Sequence, residues 1–69
     1  MSKETELEVA ERKVREGEVN VARQREIMGV LRRGGYTGSR PERLLVAFEA
    51  SLAEHREHLA SLQSGMNSN

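Results

Sequence analysis

The chain has no cysteine and no tryptophan, a single proline, and only two aromatic residues, Tyr36 and Phe48. Without cysteine there is no disulfide framework and no thiolate metal site, so the usual staples of a very small protein are missing. An excess of either charge is missing too. Eleven Lys and Arg balance eleven acidic residues, all of them glutamate, so no net charge draws the chain as a whole to nucleic acid or anionic lipid. No stretch approaches the ~20 apolar residues of a membrane span, and the opening MSKETELEVAE lacks the apolar run of a signal peptide. Together these features predict a soluble protein of a reducing compartment, the cytoplasm, with no membrane contact.

Sixty-nine residues make one small domain at most, with too little interior for a conventional core. With 36% hydrophobic and 32% charged residues, the chain must either stay unfolded or line its apolar residues along a narrow seam. The spacing supports a seam. Leu7, Val14, Val21 and Met28 are seven apart, and Ala10, Gly17, Gln24 and Leu31 fill the alternate places. After a glycine-rich break, Leu45, Phe48, Leu52, His55, Leu59, Leu62 and Met66 follow at steps of three and four. Two heptad stripes about a turn predict an all-α fold, an antiparallel two-helix coiled-coil hairpin.

The predicted boundaries are a flexible N-terminus over 1–4, a helix over 5–33, a turn over 34–38, a helix over 39–64 and a flexible tail over 65–69. Thr5 and Glu8 have capping-box spacing, as do Ser39 and Glu42, and Pro41 falls in a first turn where its missing N–H costs nothing. Gly34 and Gly35 stop the first helix, with Arg32 and Arg33 complementing its dipole. With Gly35 just past the cap, Tyr36 is expected to fold back on Leu31. Gly65 is expected to begin the tail.

Aligning the stripes end to end sets Leu31 opposite Leu45, Met28 opposite Phe48, Gln24 opposite Leu52 and Val21 opposite His55. It continues with Gly17 opposite Leu59, Val14 opposite Leu62 and Ala10 opposite Met66. The flanks then place Arg32 by Glu42, Arg25 by Glu49 and Glu18 by Arg56, three pairs of opposite sign. Gln24 reads as the single buried amide that sets register in coiled coils. Gly17 reads as a point of close helix approach.

A second apolar stripe, Ile27, Val30, Leu44 and Ala47, leaves the seam near the turn, with Tyr36 at its rim. A two-helix hairpin cannot bury it alone. A homodimer forming a four-helix bundle would, and an amphipathic helix of another protein is the alternative occupant. The turn, RRGGYTGSRPER, concentrates arginines, and Arg33, Arg40 and Arg43 form a candidate anion- or nucleic-acid-binding tip. Basic helix caps explain the same residues without a ligand.

The run Glu54-His55-Arg56-Glu57-His58 spaces two histidines i, i+3, but the zinc-protease helix places its pair four apart. A register-setting seam residue, His55, and a surface residue near Asn20, His58, account for them, so no metal or cofactor is expected. Nor is an enzyme. There is no glycine-rich loop between strand and helix, and no serine has a histidine placed as its base. A two-helix seam also has no cavity to exclude water.

The segments VARQREIMGVLRRGGYT and LLVAFEASLAEHREHLASL together resemble a pattern that recurs in short bacterial proteins of unknown function. There, an arginine- and glutamine-rich helix ends at glycine, and a second carries Leu-Leu, Phe-Glu and a spaced His. Val21, Arg23, Gln24, Arg25, Leu44, Leu45, Phe48, Glu49 and His55 carry the likeness over residues 21 to 62. The resemblance implies a small helical hairpin and assigns no activity. The resulting expectation is a small non-enzymatic protein–protein interaction and oligomerisation module, with nucleic-acid or anion binding at the arginine tip as the alternative.

Overall fold

Thr5 opens the first helix by the box its spacing predicts. Its Oγ1 accepts from the Glu8 amide at 3.1 Å, and the Glu8 carboxylate accepts from the Thr5 amide at 2.9 Å. Two of the orphan amides at the helix start are thereby satisfied. The computed structural model describes residues 3–67, apart from the side chains of Met66 and Asn67. Over that range it holds two helices, α1 (Glu6–Arg33) and α2 (Arg40–Asn67), lying against each other as a hairpin. Ahead of α1, Glu4 is tied to Arg12 at 3.2 Å, and Arg12 also reaches Glu16 at 2.9 Å.

The stop between the helices is a Schellman turn. Gly34 caps α1, and Gly35 takes φ +92°, a left-handed conformation that costs an L side chain about 1–2 kcal/mol. The Gly35 amide donates to the Arg32 carbonyl at 3.1 Å, and the Tyr36 amide donates to the Leu31 carbonyl at 2.8 Å. Both are the return bonds of this motif. Tyr36 then lines one groove with Leu31, as expected.

Three expectations are corrected. The Ser39–Glu42 box does not close, because Glu42 turns to Arg32 Nη2 at 2.6 Å. Ser39 supplies only its carbonyl, to the Arg43 amide at 3.0 Å. Gly65 does not end α2, which continues to Asn67. A lone glycine costs a helix only about 1 kcal/mol. The expected tail residues Ser68 and Asn69 lie outside the described residues, as do Met1 and Ser2.

The third correction is the register, which is one heptad away from the end-to-end alignment. Gly17 backs onto Leu52, not Leu59: a Cβ built on Gly17 would stand 3.0 Å from Leu52 Cδ1 and 3.6 Å from Leu52 Cα. Gln24, expected opposite Leu52, instead donates from Nε2 to the Pro41 carbonyl at 3.1 Å. This alignment sets Ala10 level with Leu59, Val14 with His55, Val21 with Phe48 and Gln24 with Leu45. Met66, the expected partner of Ala10, has its side chain outside the described residues.

The connection explains the shift. The chain turns at Gly34 and Gly35, and residues 36–39, which are outside any helix, already run back beside α1. Arg32 holds them there, donating from Nη1 to the Tyr36 and Gly38 carbonyls at 2.8 and 3.0 Å. Four residues span at most roughly 13 Å, enough to cover the about 10.5 Å of a heptad of helix. The returning segment therefore occupies the space that end-to-end alignment assigns to the start of α2.

The interior is slight. Ala10, Val21 and Leu52 are the buried aliphatic side chains, joined by Gly17, Gln24 and Pro41, while the other described seam residues are half-buried. The molecule measures 55 × 28 × 13 Å. A ribbon one helix thick has two broad faces and no enclosed core.

Candidate interaction surface

The two faces differ in kind. Across one, Arg32–Glu42, Arg25–Glu49 and Glu18–Arg56 bridge the helices at 2.6, 3.0 and 3.2 Å. These are the three flanking pairs expected from the sequence, formed in a register the same sequence did not indicate. A groove of about 380 Å³ runs between them, rimmed by charge.

The opposite face is built by Glu6, Lys13, Asn20 and Ile27 of α1 and by Leu44, Ser51 and His58 of α2, each series spaced by sevens. Its one ionic approach among the described residues is at the open end, where His58 Nε2 stands 3.9 Å from Glu6 Oε1. At the turn end is an apolar groove of about 350 Å³, walled by Ile27, Leu31, Tyr36, Pro41 and Leu44, with Gln24 and Arg40 at its edges. Gln24 Nε2 donates to the Pro41 carbonyl, and no buried side-chain nitrogen or oxygen among the described residues lacks a partner.

The expected interface residues fall on or beside this groove. Ile27, Tyr36 and Leu44 line it and are 44%, 43% and 44% exposed. Val30 and Ala47 are exposed on the outer flank but do not line it. Leu31 and Pro41 are groove residues that the sequence reading left to the seam and the helix cap. Their signal was the return of the Schellman turn, which brings Tyr36 against Leu31. The Tyr36 ring also covers Gly38, where a Cβ would collide with it.

The tip arginines do not converge. Arg33 lies back along α1, its Nη1 3.4 Å from where a Cβ on Gly29 would sit, while Arg40 edges the groove. Arg33, Arg40 and Arg43 are all exposed. The two histidines part as well. His55 Nε2 lies 3.3 Å from Ser51 Oγ, which corrects the expectation that no serine has a histidine beside it, and the Gly17–Leu52 register sets His55 level with Val14, not Val21. His58 faces Glu6, not Asn20. Among the described residues no three His or Glu side chains gather as a metal site requires.

Ionisation is perturbed at the N-terminal end of the hairpin. The Thr5 backbone amide, and then its hydroxyl, hold the Glu8 carboxyl below its ordinary value. The carboxylates of Glu16 and Glu4 raise the Arg12 guanidinium. Both are solvated surface groups serving the helix start.

No helix among the described residues is long and apolar enough to cross a membrane. No protein-family model, curated protein or solved structure matches the chain. What the chain does must be read from its own geometry.

Proposed function

We propose that this protein is a non-enzymatic interaction module that associates with itself through the turn-end apolar face, two hairpins forming a four-helix bundle. The observation that carries the reading is the mismatch between what the hairpin buries and what it exposes. Ile27, Leu44, Tyr36 and Val30 are each more than two-fifths exposed, while among the described residues the buried hydrophobic core is Ala10, Val21 and Leu52. A compact protein of 7.8 kDa would expose about 4,400 Å², and this chain exposes 5489 Å². The excess is of the order of the ~800 Å² that each partner gives to a standard interface. The lack of cysteine fits a reducing compartment, and the cytoplasm is the proposed location.

Sedimentation equilibrium tests the reading. A particle of two chains, losing helicity on dilution as it separates, is the expected result. A single-chain mass under conditions where both helices are fully formed overturns it.

A second reading has one observation in its favour: Arg33, Arg40 and Arg43 are exposed near the turn, with no ion pair to a carboxylate among the described residues. As a nucleic-acid tip they would give binding that falls steeply with salt. Anisotropy of a labelled oligonucleotide at low ionic strength decides this, and an unchanged signal removes it.

A further inference from the structure

Resting on that self-association, we infer how the two copies meet: face to face, with both turns at the same end and α1 of one hairpin over α2 of the other. The interface is the face that lacks the three interhelical ion pairs.

The choice of face follows from desolvation. Covering the other face would take three ion pairs out of water, with only moderate attraction to offset the loss. Covering the Ile27–Leu44 face removes mostly hydrocarbon from water, since its one buried amide is already bonded to Pro41.

The choice of direction follows from a polarity gradient along that face. Ile27, Leu44 and Tyr36 lie at the turn end, Asn20 and Ser51 in the middle, and Lys13, Glu6 and His58 toward the open end. Stacking at full length with the turns at opposite ends lays Ile27 and Leu44 on Glu6, Lys13 and His58, burying charge against hydrocarbon. A twofold axis along the helices, with the turns together, matches each stretch to its like. Ile27 then comes to the partner's Leu44, Asn20 to the partner's Ser51, and Lys13 to the partner's His58. Each contact is made twice, as a twofold interface requires.

The absence of cysteine makes the test clean. Spin labels are placed singly at Thr37→Cys in the turn and at Ser64→Cys near the open end, both exposed. Pulsed dipolar spectroscopy then measures the label-to-label distance between copies. Stacked helices lie ~10 Å apart, so with the turns together both label pairs fall under roughly 40 Å. With the turns apart, at least one pair lies at about the 55 Å length of the molecule or beyond. That outcome at a two-chain mass overturns the arrangement and leaves the dimer standing. A one-chain mass with no intermolecular coupling overturns both.

Discussion

The ion-paired face and the apolar face of this hairpin are made by the same two helices, less than one helix width apart, yet they suit opposite surroundings. On the first, Arg25–Glu49, Glu18–Arg56 and Arg32–Glu42 stay half-exposed or more on at least one partner. Such pairs contribute ~0.2–1 kcal/mol each. Their larger effect is to make that face costly to cover. On the second, heptad positions that carry Lys13 and Glu6 at the open end carry Ile27 and Leu44 at the turn. A few substitutions along one helical row thus decide which side of a thin ribbon water keeps.

The contrast breaks most sharply by putting charge on the apolar side. Ile27→Glu or Leu44→Glu is expected to weaken self-association by about 3 kcal/mol, at least a hundredfold in Kd, with helicity falling as the copies separate. Ala22→Glu, in the groove of the ion-paired face, is expected to leave the mass unchanged. Equal losses in sedimentation would show that the two faces do not differ.

Next in size is the turn that brings Tyr36 onto the groove. Gly35→Ala forces a side chain into φ +92°, at a cost of about 1–2 kcal/mol. The thermal midpoint should fall by roughly 5–10 °C. Gly29→Ala sharpens the comparison in the other direction. Its Cβ meets only the flexible end of Arg33, at 3.4 Å, so a gain of about 1 kcal/mol in unfolding free energy is expected. A loss there would mean that this outer surface is also covered.

Smaller still is the coupling across the ion-paired face. A double-mutant cycle on Arg25 and Glu49 should return ~0.2–1 kcal/mol, shrinking in high salt. The smallest effect is local to the start of α1. Glu8 has its carboxyl held below 4.5, so its contribution is complete above that value and is lost as pH falls through the lower folded value. Protection factors at the Thr5 and Glu8 amides, taken against the intrinsic exchange rate at each pH, should fall on acidification while those around Val21 and Leu52 hold. A uniform loss of protection would contradict a local cap.

Much of this was legible in the chain because it rests on local chemistry. The Thr5–Glu8 box, the glycine stop and the return of Tyr36 to Leu31 each involve residues within a few positions of one another. The flanking ion pairs were legible for a different reason. Arg25 and Glu49 lie between two successive seam layers, and their long side chains can meet in either of two registers one heptad apart. Their agreement therefore could not choose between those registers. Spacing offered Glu42 to both Arg32 and Ser39 and could not choose between them, since that choice depends on where the other helix ends. The candidate surface was read as a stripe, and Ile27, Leu44 and Tyr36 belong to it. Leu31 and Pro41 join only because the connection folds over them.

The sequence by itself determined two amphipathic helices, the glycine break between them and the excess of apolar residues near the turn. Heptad spacing and backbone preference act within a single stretch of chain. Only the tertiary structure decided the register, because Arg32 clamps residues 36–39 back along α1 and so consumes one heptad before α2 begins. That loop path, a contact between parts of the chain that no periodicity links, also set Gly17 against Leu52 and shaped the apolar groove.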